Sequence, residues 1–395
     1  MALFNRANLQ QKGLAVDRIG IIMNGVTGRM GTNQHLERSI VAIRRQGGVK
    51  LRDGRCVLPD PVLLGRNPQK LEALARKYEV ERWSTSLDEC LSDPRNTVYF
   101  DAQATILRTA AVRAAIAAGK NIYCEKPLGG DFKEAMELAR MAAAAGIKHG
   151  IVQDKLFLPG MLKLQQVIQN GVLGRILSVR GEFGYWVFED GAQRPSWNYR
   201  KEHGGGLILD MFPHWQYLLE NIFGRVTAVS CMASTHIPER VDEAGVAYAA
   251  TADDAVYATF ELEGGVIVQM NSSWCTRVHR DELLILQVDG DLGSAVAGLR
   301  ECEVQHRATT PRTLWNPDTP DPINYMEGWQ KVPATTSLEN AFKIQWEMYL
   351  RYVLENAPFP HDFLQAARGL QIVEAGLRSW KERKWQDVPP LTLPS

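Results

Sequence analysis

The chain has 395 residues, and its 45 basic and 45 acidic side chains give a formal net charge of zero at neutral pH. A balanced charge argues against a nucleic-acid groove or an anionic membrane surface as its main partner. Apolar residues make up 45% of the sequence and charged residues 23%, which is typical of a folded globular protein. The length predicts about two to three domains. A membrane helix needs about 18 uncharged apolar residues in a row, and no run in the sequence is that long.

The N-terminal residues 1–17 contain no apolar core followed by a small-residue cleavage site, so they are not predicted to form a signal peptide. The six cysteines are scattered and form no Cys-x-x-Cys pair, which argues against a zinc site and a disulfide framework. We therefore expect a reduced, cytoplasmic compartment, and we predict no metal site.

The first third of the chain alternates short apolar runs, typical of buried strands, with segments of helical period. The predicted strands are residues 18–23, 61–64, 98–100, 121–124 and 151–152. Ser86 and Glu89 match a capping box before a short helix, and Gly119 stops the helix before the fourth strand. This alternation predicts a parallel sheet with helices on both faces, in which ligands bind beyond the carboxyl ends of the strands.

The pattern changes after about residue 153. A helix over about residues 159–169 precedes long stretches in which apolar and polar residues alternate. Residues 256–262 and 266–270 alternate on either side of Glu263-Gly264-Gly265, which predicts a hairpin. We expect a second domain built mostly on an antiparallel sheet. A loop over residues 307–333 and two helices close the chain, and those helices are candidates to pack back on the first domain.

Three glycines follow the first predicted strand, at positions 25, 28 and 31. Such a turn lets the backbone approach a pyrophosphate, and the helix after it adds free amides and the positive end of its dipole. Two interpretations of the spacing are open. Either Gly25 and Gly28 are the second and third glycines of the usual fingerprint, with Met23 replacing the first, or all three glycines form a variant. The alternative to both is a glycine-rich turn without a ligand.

The residue that selects between NAD and NADP usually stands at the end of the second strand. Asp53 has the spacing of an NAD-type acid, but Asp53-Gly54 is typical of a turn. The strand ends in Gly65-Arg66-Asn67, where a glycine replaces the acid and an arginine follows. This pattern favours NADP over NAD, with Arg66 beside the 2′-phosphate or stacked on the adenine.

Two segments carry candidate catalytic residues. Glu125-Lys126-Pro127 follows the fourth predicted strand, and the proline constrains the direction of the lysine. Further along, glycines 204–206 lead into an apolar helical run in which Asp210 and His214 share a face. A lysine can bind a substrate hydroxyl, and a histidine can carry its proton. Taken alone, each segment also matches a surface turn or an ordinary contact on a helix surface.

Together, the glycine loop, residues 118–128, residues 170–176 and residues 204–214 resemble the Gfo/Idh/MocA family of NAD(P)-dependent oxidoreductases. The resemblance runs over nearly the whole chain. It implies an α/β fold in which residues 1–153 form a Rossmann domain with a doubly wound parallel sheet. Residues 154–395 would form an α/β domain for substrate binding and oligomerisation, with a large, mostly antiparallel open sheet. The resemblance also implies the catalytic set Lys126, Asp210 and His214.

The resemblance and the loop positions together predict two sets of contacts. The cofactor contacts are Asn24, Gly25, Val26, Thr27, Gly28, Arg29, Arg66, Asn67, Gln103, Glu125 and Lys126. The substrate contacts are Lys155, Trp197, Tyr199 and Arg200, because aromatic and charged side chains together suit a sugar or polyol. The chain departs from the family at Gln103-Ala104-Thr105, at Lys155-Leu156 and in an insertion over about residues 46–60.

These patterns predict hydride transfer between NADP, or alternatively NAD, and a CH–OH group of a sugar, polyol or sugar derivative. His214 is the expected general base, Lys126 the partner of the reacting oxygen and Asp210 a residue that orients the substrate. Two alternatives are a glycosidase that retains NAD and acts by transient oxidation, and a non-catalytic NAD(P)-binding sensor. We expect a homodimer or homotetramer and neither a nucleic-acid nor a membrane partner.

Overall fold

The computed structural model describes residues 17–334 and 339–393, which divide into two compact units. The first unit contains residues 17–154, 339–368 and 392–393, and the second contains residues 155–334 and 369–391. The N-terminal segment used for the signal-peptide prediction lies outside the described residues, except for Asp17. None of the helices in the described ranges combines the length and the apolar character of a membrane span.

The secondary structure consists of strands and helices that alternate in the first unit, and of long strands in the second. The strands are β1 (Asp17–Asn24), β2 (Val49–Lys50), β3 (Cys56–Leu64), β4 (Arg82–Ser84), β5 (Asn96–Asp101), β6 (Asn121–Cys124), β7 (His149–Ile151), β8 (Ile176–Gly184), β9 (Val226–Ser234), β10 (Glu239–Val241), β11 (Ala247–Ala249), β12 (Ala255–Leu262), β13 (Ile267–Ser273), β14 (Leu284–Gly290), β15 (Gly293–Gly298), β16 (Cys302–His306), β17 (Gln330–Lys331) and β18 (Gln386–Asp387). The helices are α1 (π-helical over Gly31–Val41 and α-helical over Ala42–Arg45), α2 (Pro68–Tyr78), α3 (Leu87–Ser92), α4 (Thr105–Ala117), α5 (Phe132–Ala144), α6 (Pro159–Gln169), α7 (Leu207–Ile222), α8 (Ala341–Glu355) and α9 (Phe363–Glu382).

The sheet of the first unit has the order β2-β3-β1-β5-β6-β7, with β4 beside β3. All neighbouring strands are parallel except β2, which runs antiparallel to β3. Central β1 is buried on both faces, as Ile21, Ile22 and Met23 show, and this continuous burial is typical of a parallel sheet covered by helices. The predicted doubly wound sheet is confirmed. Its strand order reverses at β1, so the carboxyl ends of β1 and β5 form the switch point at which such sheets bind ligands.

The inserted residues 46–60 form a small hairpin at the edge of this sheet. Val49 and Lys50 pair antiparallel with Val57 and Cys56, and the amide of Leu51 donates to the carbonyl of Arg55 across the turn. Strand β3 therefore begins inside the insertion, earlier than the predicted start at residue 61. The sequence concealed this start because Pro59 and Pro61 lack the amide donors that a strand normally uses.

The sheet of the second unit has the order β17-β16-β15-β14-β8-β13-β12-β9-β18. All its pairs are antiparallel except that of β8 with β13, so the predicted mostly antiparallel sheet is confirmed. The predicted hairpin is present between β12 and β13, with Glu261 opposite Ile267. One face of the sheet packs against α7, where the indole nitrogen of Trp215 donates to the Ser272 hydroxyl. The other face carries exposed side chains such as Tyr257.

Candidate active site

The glycine loop lies at the carboxyl end of β1, and its crowding explains the glycines. Gly25 has a φ of +78°, and a Cβ there would lie 2.6 Å from the carbonyl carbon of Ala102. A Cβ on Gly31 would lie 2.5 Å from the carbonyl oxygen of Gly25, so this glycine lets α1 pack closely on the loop. At Gly28 the same oxygen is 3.3 Å away. Gly31 thus performs the packing role of a fingerprint glycine, which favours the variant with all three glycines.

A buried polar network connects the ends of β1 and β5. The Asn24 side-chain amide donates to the Tyr99 hydroxyl over 2.8 Å, and that hydroxyl donates to Asp101 over 2.7 Å. Arg108 pairs with the other oxygen of Asp101 over 3.0 Å, and its guanidinium also donates to the carbonyls of Gln103 and Pro127. Arg108 therefore connects the loop after β5 to the turn that carries Lys126.

Gln103 supports the prediction of a ligand at this switch point. Its backbone amide donates to Asp101 over 3.0 Å, whereas its side-chain oxygen is buried and has no hydrogen-bond partner among the described residues. A buried acceptor without a donor is costly, which is typical of a position that receives a donor from a ligand. The backbone nitrogen of Gln103 lies 2.7 Å from where a Cβ on Gly25 would stand, so the backbone of Gln103 lies close against the glycine loop.

The Glu125-Lys126-Pro127 turn is held by a chain of buried hydrogen bonds. The peptide bond between Lys126 and Pro127 is cis. The indole nitrogen of Trp346 donates to Nδ1 of His35 over 3.0 Å, because an indole N–H can only donate. His35 therefore carries its proton on Nε2 and donates it to Glu125 over 2.8 Å. The other oxygen of Glu125 accepts the backbone amide of Lys126 over 3.2 Å.

Glu125 is an anion in this environment. Burial alone raises its pKa, but the hydrogen bond from His35 and the charges of Lys126 and Arg108 outweigh burial and leave the pKa below its usual range. A carboxylate with satisfied oxygens is therefore a rigid support at the carboxyl end of β6.

Arg66 and Asn67 lie where β3 leaves the sheet, as predicted. Asn67 caps α2 by accepting the amide of Lys70 over 2.9 Å, and Arg66 is exposed. A Cβ on Gly65 would lie 3.4 Å from the side chain of Thr27, so this strand end adjoins the glycine loop. Asp53 lies in the turn before β3, at the opposite end of that strand, and is hydrogen-bonded to Arg55. Its identification as a turn residue is confirmed.

The remaining predicted residues of the glycine loop differ in exposure. Val26 is buried, and its carbonyl accepts the Thr32 hydroxyl over 2.6 Å. Gly28 and Arg29 are exposed at the start of α1, and Thr27 is partly buried. Their contacts with a cofactor stay predictions.

The three glycines before α7 each have a structural reason. Gly204 and Gly206 have φ angles of +77° and +123°, which favour glycine. A Cβ on Gly205 would lie 2.5 Å from the carbonyl oxygens of both Trp197 and Asn198. The distant Asp253 then caps the helix, because its carboxylate accepts the amide of Ile208 over 2.8 Å. This construction determines where α7 begins and therefore where Asp210 and His214 lie.

His214 is buried in the second unit and hydrogen-bonded through both ring nitrogens. Its Nδ1 lies 2.7 Å from the Tyr217 hydroxyl, and its Nε2 lies 3.2 Å from the Nζ of Lys155. The backbone amide of Lys155 also donates to the Tyr217 hydroxyl over 3.2 Å. The structure thus brings two residues together that were predicted for different roles, namely His214 for proton transfer and Lys155 for substrate binding.

Asp210 is oriented by an arginine. Arg194 donates to Asp210 over 3.2 Å, to the Tyr185 hydroxyl over 3.0 Å and to the side chain of Asn198 over 3.0 Å, and its guanidinium stacks on Trp274. Burial lowers the pKa of Arg194, but the negative charge of Asp210 and the bond to Tyr185 raise it above its usual value. Asp210 is therefore paired with a permanent cation.

The other predicted substrate contacts are spread over different environments. Trp197 is 49% exposed, and Arg200 stacks on Tyr248. Tyr199 is only 2% exposed and packs between Arg240 and Trp274. The roles of these three side chains as substrate contacts stay predictions.

Sequence reasoning missed the residues that hold the predicted ones in place, namely His35, Trp346, Arg108, Tyr217 and Asp253. Tyr217 had a usable signal, because a residue three positions after His214 on a helix lies on the same face. The contact between Trp346 and His35 joins residues far apart in the sequence and has no local signal.

This sheet and glycine loop are those of a dinucleotide-binding protein, and the comparisons identify its class as an oxidoreductase. Residues 60–151 match the family described as "Oxidoreductase family, NAD-binding Rossmann fold", and residues 161–296 match the GFO/IDH/MocA C-terminal domain. The D-xylose dehydrogenase of Paenarthrobacter nicotinovorans is 53% identical over 382 residues, which cover 95% of this chain and 98% of that protein. The chain belongs to the Gfo/Idh/MocA family of oxidoreductases.

More distant relatives share the fold. The levoglucosan dehydrogenase of Pseudarthrobacter phenanthrenivorans is 25% identical over 84% of this chain and 90% of its own length. A solved levoglucosan dehydrogenase in its apo form superposes with a TM-score of 0.79 at 22% identity, over 95% of this chain and all of that one. A levoglucosan dehydrogenase in complex with NADH and levoglucosan superposes with a TM-score of 0.77 at 23% identity, again over 95% of this chain and all of that one.

Proposed function

We propose that the chain is an NADP-dependent sugar dehydrogenase that oxidises a CH–OH group of an aldopentose such as D-xylose, or reduces the product in reverse. The observation that carries this proposal is the 53% identity with a D-xylose dehydrogenase over 95% of the chain. The chain also keeps the lysine, aspartate and histidine that the family resemblance assigns to catalysis, as Lys126, Asp210 and His214.

The proposed mechanism uses His214 as general base in the direction of oxidation. Its Nε2 removes the hydroxyl proton while the carbon-bound hydrogen leaves as a hydride, and the C–O bond becomes a carbonyl. A bound nicotinamide supplies the hydride acceptor for this step and the hydride donor for the reverse. Lys126 donates a hydrogen bond to the reacting oxygen and stabilises its developing charge. Asp210, held by Arg194, accepts a neighbouring substrate hydroxyl and orients the sugar.

The glycine loop and the strand ends beside it would hold the cofactor. The crowded Gly25 lets the backbone approach a pyrophosphate, and the buried oxygen of Gln103 suits a donor such as a carboxamide or a ribose hydroxyl. Arg66 is exposed next to this loop, and the strand end lacks the acid that an NAD site uses. We therefore propose NADP, with Arg66 as the partner of the 2′-phosphate.

A titration of intrinsic fluorescence with NADPH and NADH tests the cofactor assignment, on protein first freed of copurified nucleotide. We expect wild-type protein to prefer NADPH, and Arg66→Ala to lose about tenfold in NADPH affinity with little change for NADH. Arg76→Ala is the matched control, because Arg76 is an exposed arginine on α2 that pairs with Glu72. A wild-type preference for NADH would contradict the role of Arg66.

We also propose that the substrate contacts include Lys155, Trp197, Tyr199 and Arg200. Indole rings stack on the faces of sugars, and lysine and arginine donate to their hydroxyl groups. All six cysteines are free thiols, which suits the reducing cytoplasm that we propose as the compartment.

Self-association through the sheet of the second unit completes the proposal. Its outer face exposes Met232, Tyr257 and Ile267, each between 42% and 59% accessible. An apolar surface of this kind on a sheet is typical of an interface, so we propose a homodimer or homotetramer.

A further inference from the structure

Lys155 makes two contacts with one face of α7. Its ammonium lies 3.2 Å from Nε2 of His214, and its backbone amide donates over 3.2 Å to the hydroxyl of Tyr217. Tyr217 in turn lies 2.7 Å from Nδ1 of the same histidine. All three residues belong to the second unit. The imidazole of His214 is hydrogen-bonded on one side to the Lys155 ammonium and on the other to the Tyr217 hydroxyl, which also accepts the Lys155 amide.

The chemistry of these groups determines the tautomer of His214. An ammonium group has three donors and no acceptor, so Nε2 of a neutral imidazole beside it must present its lone pair. The imidazole proton then lies on Nδ1 and is donated to the oxygen of Tyr217. That oxygen has two lone pairs, and the second accepts the backbone amide of Lys155.

This tautomer is the one that oxidation requires. A substrate hydroxyl is a donor, as the ammonium is, so it can replace the ammonium at the Nε2 lone pair without any rearrangement of the ring proton. The opposite tautomer would present an N–H to the hydroxyl and could not accept its proton. A wrong tautomer of a catalytic histidine costs orders of magnitude in rate even where the geometry is intact.

We propose that Lys155 is a positioning residue that, with Tyr217, holds His214 in the Nδ1–H tautomer with Nε2 ready to accept the substrate proton. The role in turnover rests on the proposed function of His214 as general base. The tautomer itself does not depend on that function, so the two claims are tested separately.

The first test is NMR of protein labelled with ¹⁵N-histidine, at a mildly alkaline pH where an ordinary imidazole is neutral. The chain has eight histidines, and the signal that is lost in His214→Asn is the one assigned to His214. We expect wild-type His214 to show a protonated Nδ1 and an unprotonated Nε2. Lys155→Met should populate the other tautomer, and Lys155→Arg should keep the wild-type pattern because arginine also has only donors.

The second test is steady-state kinetics on the same proteins with D-xylose and NADP. We expect Lys155→Met to lower kcat by about tenfold or more, with partial recovery in Lys155→Arg and in Lys155→Ala supplied with methylammonium. The control is Lys381→Met, which removes an exposed lysine on α9 in the same unit. Recovery by a free amine shows that the missing ammonium, rather than a folding defect, causes the loss.

An unchanged His214 tautomer in Lys155→Met overturns the proposal, and so does a changed tautomer with an undiminished kcat. If Lys155→Met does not fold, Lys155→Gln and Tyr217→Phe provide the same comparison. Absence of sugar oxidation in the wild-type protein, with a tautomer that still responds to Lys155, would refute the proposed function while supporting the control of His214 by Lys155.

Discussion

Lys126 depends on its neighbours for its position. A buried chain of hydrogen bonds from Trp346 through His35 to Glu125 supports the backbone of the turn. Arg108 also donates to the carbonyl of Pro127 in this turn. The side chain of Lys126 therefore projects from a rigid base, which is what electrostatic stabilisation of a developing charge requires.

Replacement of Lys126 by methionine tests its proposed role in the reaction. We expect kcat to fall by about 10²- to 10⁴-fold, the usual range for a group that assists proton transfer. NADPH should still bind, with a much smaller loss of affinity, because Lys126 is one of many predicted cofactor contacts. Lys133→Met, which removes an exposed lysine at the start of α5, should leave both quantities unchanged. The measurements are initial rates with D-xylose and fluorescence titration with NADPH. Retention of wild-type kcat in Lys126→Met would exclude Lys126 from the catalytic set.

The charge of Glu125 predicts a pH dependence of stability. Its folded pKa lies below the usual value, so its contribution to stability is complete above the ordinary glutamate pKa and is lost as the pH falls through the folded pKa. In Glu125→Gln this contribution is absent at every pH. We expect the difference in Tm between wild type and Glu125→Gln to decline as the pH is lowered through the acid range. A difference that grows towards low pH would show that Glu125 is held as a neutral acid.

At the scale of elements, α7 depends on the three glycines before it. A Cβ on Gly204 would lie in open space, so only its positive φ favours glycine there. A Cβ on Gly205 would instead clash with two backbone carbonyls, which cannot move unless the whole turn moves. The start of α7 is thus defined by close backbone packing and by the cap from Asp253. The positions of Asp210 and His214 therefore depend on where α7 begins.

Alanine substitutions at the two glycines separate these effects. We expect Gly204→Ala to cost about 1 to 2 kcal/mol, the penalty for a left-handed residue with a Cβ. Gly205→Ala should cost about 3 kcal/mol or more and lower kcat, because the clash displaces the start of α7. Urea unfolding monitored by circular dichroism measures both free energies of unfolding. Equal costs for the two variants would contradict the packing argument at Gly205.

The sequence predicted the elements whose signals are local. The predicted cap at Ser86 is present, since its hydroxyl accepts the amide of Glu89, although the Glu89 carboxylate accepts the Ser84 hydroxyl and not the Ser86 amide. Helix α6 covers the predicted residues 159–169. Strand β4 was missed because its three residues, Arg82–Ser84, are too few to show a period.

The candidate site could be predicted only in part, for a similar reason. Lys126, Asp210 and His214 belong to short motifs, which are recognisable from residues adjacent in the sequence. Their supports are not local: Asp253 caps a helix 45 residues earlier in the chain, and Trp346 bonds a histidine 311 residues away. Only the folded chain brings these donors and acceptors together.

At the scale of the whole molecule, the two units have different sheets and different proposed functions, namely cofactor binding in the first and substrate binding in the second. The parallel sheet of the first presents a dinucleotide-type switch point at the ends of β1 and β5, and the second unit carries His214 and Asp210 on α7. The second unit also exposes the outer face of its sheet, so the same sheet that supports α7 is available for self-association.

The exposed face of the second sheet predicts the outcome of a substitution on it. We expect light scattering after gel filtration to give the mass of a dimer or tetramer for wild-type protein and of a monomer for Ile267→Glu, since a charge on this face opposes burial. Glu263→Gln, in the exposed turn between β12 and β13, should leave the assembly unchanged. A monomeric wild type would contradict the proposed interface.

The most direct test of the central claim is the rate at which reduced nicotinamide accumulates when wild-type protein is supplied with D-xylose and NADP or NAD. We predict sugar-dependent accumulation, faster with NADP, and its loss in His214→Asn. If no aldose or polyol produces net reduction with either cofactor while the protein retains a bound nucleotide, the dehydrogenase account is wrong. Transient redox chemistry, as in a cofactor-retaining glycosidase, would then be the better explanation.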